Sequence, residues 1–175
     1  MAMVGLFWIA EGDVYVGAKP AGPAPGVRLS PGGVVALGDG QAGLHLWEDV
    51  HALTVADVAV KSLMRQVNAV KDLALNTVLE LATPLGSAWG DDAPPLMTVR
   101  VAASDGEHEL AAYSAAAVGY SQTEADLSRA LLARLTEGAA TMETTLAAMS
   151  QWGRGWEGGS PRGTEREELL RGWLG

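Results

Sequence analysis

Leu44-His45-Leu46-Trp47-Glu48-Asp49-Val50-His51-Ala52-Leu53-Thr54-Val55 is the stretch on which the fold turns. Its apolar and β-branched residues alternate with polar ones, the period-two pattern of a half-buried strand. Glu48-Asp49 interrupts that pattern and predicts a kink. Short strands with turn signals precede the stretch, and a hairpin and amphipathic helices follow it. The order predicts an α+β chain.

Upstream, Gly5 to Ala10 is aromatic and β-branched, then Glu11-Gly12 turns the chain into Asp13 to Ala18. That is a hairpin, with Gly12 free to take the positive φ of a tight turn. Lys19 to Gly26 contains three prolines and two glycines and reads as a loop. Val27 to Leu29 and Val34 to Leu37 flank the turn Ser30-Pro31-Gly32-Gly33. Gly38 to Gly43 is a further loop.

Downstream, Asp57 to Thr83 holds neither Gly nor Pro. Val60, Leu63, Met64, Val67, Val70, Ala74, Val78 and Leu81 recur at helical spacing. The first residues of this segment could equally finish the preceding strand. Pro84 ends the pattern, and a loop carrying Trp89 follows. Met97 to Val101 and His108 to Tyr113 flank Asp105-Gly106, a strong hairpin signal. Ser121-Gln122-Thr123-Glu124 fits a capping box and opens a helix that stops at Gly138. Ala139 to Trp152 predicts a second helix.

The last residues differ in kind. Gly153 to Gly163 is glycine-rich and reads as a flexible linker. Thr164 offers an N-cap for a short amphipathic helix with Leu170, Trp173 and Leu174 on one edge. Trp152, Trp156 and Trp173 fall in or beside this tail. Large apolar residues in a linker point to a docking peptide.

The Leu6-to-Ala18 hairpin, the Leu46-Trp47-x-Asp49-Val50 strand and the Asp105-Gly106 hairpin feeding a helix resemble bacterial pleckstrin-homology-like (PH-like) domains. The resemblance implies a barrel of about seven short antiparallel strands, closed by a C-terminal helix, over residues 4–138. A helical insertion at about 57–83 departs from that pattern. Residues 139–152 would be a helical extension, and 153–175 a linker plus peptide. Phosphoinositide-binding members are similar in placing basic residues at the first hairpin turn. Here that turn is Glu11-Gly12-Asp13, so no phosphoinositide binding is expected.

The formal charge of −9 argues against nucleic-acid and anionic-membrane partners. Cysteine is absent, which removes disulfides and thiolate chemistry. No signal peptide or membrane span is read, so a cytoplasmic location is expected. Nine Arg against three Lys, with much Ala and Gly, resembles the coding bias of a high-GC bacterium.

His45, Glu48, Asp49 and His51 are the one cluster of metal-ligand types. In a regular strand 45, 49 and 51 would share a face. Solvent-facing strand residues explain them better, so no metal is expected. Gly38 to Gly43 lacks the Lys-Ser/Thr and the following helix of a phosphate loop. His108, between Glu107 and Glu109, fits a solvated strand. Ser114, Ser121 and Ser128 lack a nucleophile elbow. With no catalytic constellation and no cofactor implied, the expectation is a non-enzymatic interaction module. It would bind a protein partner or itself through Leu170, Trp173, Leu174 and Trp156. The alternative is a carrier whose barrel and inserted helix enclose a small apolar ligand.

Overall fold

The computed structural model describes residues 1–61, 94–116 and 119–175. The helix expected over 57–83 lies outside the described residues beyond Lys61, as does Trp89. Residues Asp57 to Val60 are not helical: Asp57 has φ +59°, and Val60 bridges Tyr120 in parallel.

Six strands form one antiparallel meander in chain order. They are β1 (Ala2–Val4), β2 (Phe7–Ala10), β3 (Asp13–Val16), β4 (Gly26–Ser30), β5 (Gly33–Leu37) and β6 (Gly43–Leu46). Three more form a second antiparallel sheet: β7 (Val50–Ala56), β8 (Leu96–Ala103) and β9 (Gly106–Tyr113). Nine strands in sheets of six and three replace the expected seven, and among the described residues they do not close into a barrel.

Two of the extra strands have local causes. The aromatic run from Gly5 begins in a turn, because Gly5 takes φ +58°, and Ala2–Val4 pairs back on Phe7–Ile9. Trp47-Glu48-Asp49 is more than a kink. It is a turn that carries the chain from the first sheet into the second. Trp47 sits in that turn, half-buried, with Nε1 donating to the Ser30 carbonyl at 2.7 Å.

Register sorts the two faces of the large sheet. Ala2, Ile9, Val14, Leu29 and Val34 face one another across successive strands, and all are buried. Met3, Trp8, Tyr15, Arg28 and Val35 form the neighbouring row on the other face. The second sheet adds Leu53, Val55, Met97, Val99, Val101 and Leu110 to the same core. The sheets meet at a corner where Ala18 N–H donates to the Tyr113 carbonyl at 2.7 Å. Gln41 reinforces it: its Nε2 donates to Gly26, Leu37 and Ala111 carbonyls, and its Oε1 accepts from Ala111 N–H.

Among the described residues three helices cover this core: α1 (Gln122–Leu135), α2 (Ala139–Gly155) and α3 (Gly163–Leu174). Helix α1 has the expected capping box, with Ser121 Oγ accepting from Glu124 N–H at 3.1 Å. The C-terminal part corrects the expectation of a flexible tail. Gly153 is buried inside α2, because a Cβ there would collide with Ile9 Cγ2. It is a close-approach glycine and not the start of a linker. Helix α3 begins two residues before Thr164's expected first turn, with Arg162 N–H bonded to Glu165 Oε2 at 3.0 Å.

Candidate functional site

Helices α2 and α3 pack against each other, and three indoles gather between them. Trp152 and Trp156 lie one helical turn apart at the end of α2, so their rings share a side. They stack with centroids 5.1 Å apart and planes 24° from parallel. Trp173 of α3 meets Trp152 edge-on, with centroids 5.8 Å apart and planes at 73°. Both arrangements are favoured by the ring quadrupoles. Trp156 is fixed further by its Nε1 donating to the Gly159 carbonyl at 2.8 Å.

These indoles line an open groove of about 540 Å³. Pro161, Leu169 and Gly172 add apolar floor, and Glu165 and Glu168 stand at its edge. All three Trp side chains are half-buried. Gly172 lies inside a helix, where glycine costs roughly 0.5–1 kcal/mol against alanine. A Cβ there would meet nothing within 4 Å, so packing does not require it. Its effect is to leave the groove floor without a side chain.

The groove is held by contacts on the far side of α3. Leu170 is fully buried, against Ser128 of α1 and the Gly5 turn. Ser128 Oγ accepts from Leu6 N–H at 3.0 Å and donates to the Glu124 carbonyl at 2.7 Å. Beside it Arg166 forms a buried ion pair with Glu124 through Nε and Nη2, while its Nη1 donates to the Pro161 carbonyl at 2.7 Å. Burial alone would raise the Glu124 carboxyl. The Arg166 hydrogen bonds and charge, with help from Ser121, outweigh it and hold the group below its ordinary value.

The four residues expected to bind a partner therefore separate. Trp156 and Trp173 line the groove. Leu174 is half-buried against the core, and Leu170 is inside it, covered by its own chain. The sequence reading missed Leu169, Gly172, Glu165 and Glu168. Leu169 was legible as the residue one turn before Trp173, and Gly172 as a glycine inside an amphipathic helix.

Elsewhere the chemistry disperses. A regular strand would put His45, Asp49 and His51 on one face, but the turn sends His45 and His51 into different sheets. His45 lies against His108 of β9, with ring centroids 4.5 Å apart, and His51 reaches Ser104 at 3.3 Å. His108 bonds Asp105 at 2.9 Å and so lowers the Asp105 carboxyl. Among the described residues no three His, Asp or Glu side chains converge to hold a metal ion. A larger cleft of about 660 Å³ between α2 and strands β3–β4 mixes Asp13 and Glu143 with Arg28 and Arg154. Its polar groups are partly spent on packing: Ser150 Oγ donates to the Gly12 carbonyl and accepts from Arg154. Among the described residues no helix is long and apolar enough to cross a membrane.

The chain matches no family model, no curated protein and no solved structure. Its class is therefore defined by its own geometry: two antiparallel sheets under a C-terminal helical layer that bears an indole groove.

Proposed function

We propose that the chain is a non-enzymatic protein-interaction module that docks a partner in the α2–α3 groove. The PH-like likeness belongs to this reading as an architecture, two packed sheets with a helix after the last strand. The observation that carries the reading is Gly172. Its lack of a side chain weakens α3, serves no packing contact and keeps open a groove walled by three indoles. Tryptophan is the residue most enriched where interfaces derive their affinity.

The carrier reading finds less support. A carrier pocket would be lined by Trp8, Trp47 and Tyr15, but Trp8 and Tyr15 are cross-strand neighbours on the sheet face opposite the Ile9–Val14 row, and Trp47 lies in a turn. The space between the sheets is filled by Val4, Phe7, Ile9, Leu53, Met97 and Val99, all essentially inaccessible.

The test is photo-crosslinking in the native host. A benzoylphenylalanine replacing Gly158 stands beside Trp156, since a Cβ there lies 3.5 Å from its Nε1. The expected result is a discrete protein adduct that is missing when the same group replaces exposed Glu107 in the distant β8–β9 hairpin. Equal, diffuse labelling from both positions contradicts the reading.

A further inference from the structure

The groove's lining carries a chemical preference. Among the described residues its ionisable groups are Glu165 and Glu168, both acidic, and no basic side chain lines it. Glu165 spends one carboxylate oxygen on the Arg162 N–H, which fixes the side chain at the groove's edge. Glu168 is exposed and makes no ion pair among the described residues. The two lie three residues apart on α3, on one side with Leu169 and Gly172. Trp152 and Trp156 line the groove from α2 and Trp173 from α3, and indole faces carry negative quadrupole potential. Carboxylates and indole faces thus favour the same guest: a cation with an apolar stem. The chain's charge of −9 reinforces the preference during encounter.

We propose, on the footing of the docking reading above, that the groove receives an arginine side chain from an apolar segment of the partner protein. A guanidinium is planar and weakly hydrated, so it lies flat on an indole while its N–H groups reach a carboxylate. An ammonium would have to give up a tighter hydration shell to do the same. The flanking apolar residues of the segment cover half-buried Leu169. Gly172 leaves room for the arginine stem to cross α3. An acidic segment is repelled by Glu165 and Glu168, and a purely apolar one offers Glu168 no ionic partner.

The test uses the intact chain and two synthetic peptides, acetyl-Leu-Arg-Leu-Leu-amide and the same sequence with citrulline for arginine. Citrulline keeps the shape and loses the charge. Indole N–H resonances of Trp152, Trp156 and Trp173 report binding by NMR titration. The expected result is saturable shifts for the arginine peptide and about two- to fivefold weaker binding for citrulline, the range of cation–π attraction at exposed sites. The double variant Glu165→Gln, Glu168→Gln should weaken the arginine peptide and leave the citrulline peptide unchanged. The substitutions are exposed, and an unaltered amide spectrum elsewhere verifies the fold.

Equal affinity for both peptides, lost on Trp173→Ala, overturns the arginine preference while leaving groove docking intact. No shift from either peptide at millimolar concentration overturns the arginine proposal, and groove docking then stands or falls on the crosslinking result. Phosphatidylcholine vesicles that displace the arginine peptide would reassign the groove to a lipid headgroup and also overturn it.

Discussion

Glu124 shows how one residue ties α3 to α1. Its carboxylate closes the α1 capping box and pairs with Arg166, which lies 42 residues on. Arg166→Ala leaves that carboxylate buried without its cation and should cost about 3–5 kcal/mol in urea unfolding. The pH dependence has a definite sign. The folded carboxyl titrates below the free value of about 4.3, so its stabilisation is fully present above that pH. It is lost as pH falls through the lower folded value. The stability gap between the parent and Glu124→Gln should therefore be widest near neutrality and shrink below about pH 4, a pattern that unfolding at pH 7 and pH 3 would check. Gly5 acts at the same scale. With φ +58° and a Cβ site 2.9 Å from Leu170 Cδ1, Gly5→Ala combines backbone strain with overpacking and should cost about 2–4 kcal/mol. The capping box was legible in Ser121 and Glu124. The Arg166 pair was not, because nothing local links Arg166 to a residue so far upstream.

Among elements, α3 matters most. Its amphipathic edge was legible from the spacing of Leu170, Trp173 and Leu174, and its destination was not. A helix of this length is marginal alone in water, so it must bury that edge somewhere. Gly153 to Gly163 looked like reach for a distant target, yet Gly153 is small because α2 crosses Ile9 closely, and Pro161 is buried under Arg166. Glycine in a sequence marks either freedom or close contact, and only the packing partner tells which. Deleting 156–175 should therefore lower the melting temperature by several degrees, since it uncovers Ser128 and leaves Glu124 without Arg166. Leu170→Ala alone should cost about 2–5 kcal/mol. A truncated chain that melts with the parent would return α3 to the status of an independent peptide. The turn signals Ser30-Pro31-Gly32-Gly33 and Asp105-Gly106 located β4, β5, β8 and β9 well, while the Leu44–Val55 run concealed a change of sheet at Trp47, where only Glu48-Asp49 hinted at a break.

At the scale of the whole molecule, the sheets and α1 supply a filled core, and α2 and α3 supply a surface. The residues that stabilise the surface point inward: Leu170, Arg166 and Gly153. Those that line the groove point outward: Trp156, Trp173 and Gly172. Stability and docking should then separate cleanly, and Gly172 is where they separate best. Its φ is ordinary and its Cβ space is empty, so Gly172→Leu keeps the fold and fills the groove. The decisive measurement is the yield of the Gly158 photo-adduct in the Gly172→Leu background, taken with the melting temperature of the same protein. The account predicts a melting temperature equal to or a few degrees above the parent, from better helix propensity, with the adduct lost. An undiminished adduct on an equally stable protein would contradict it, because the partner would then be docking somewhere other than the groove.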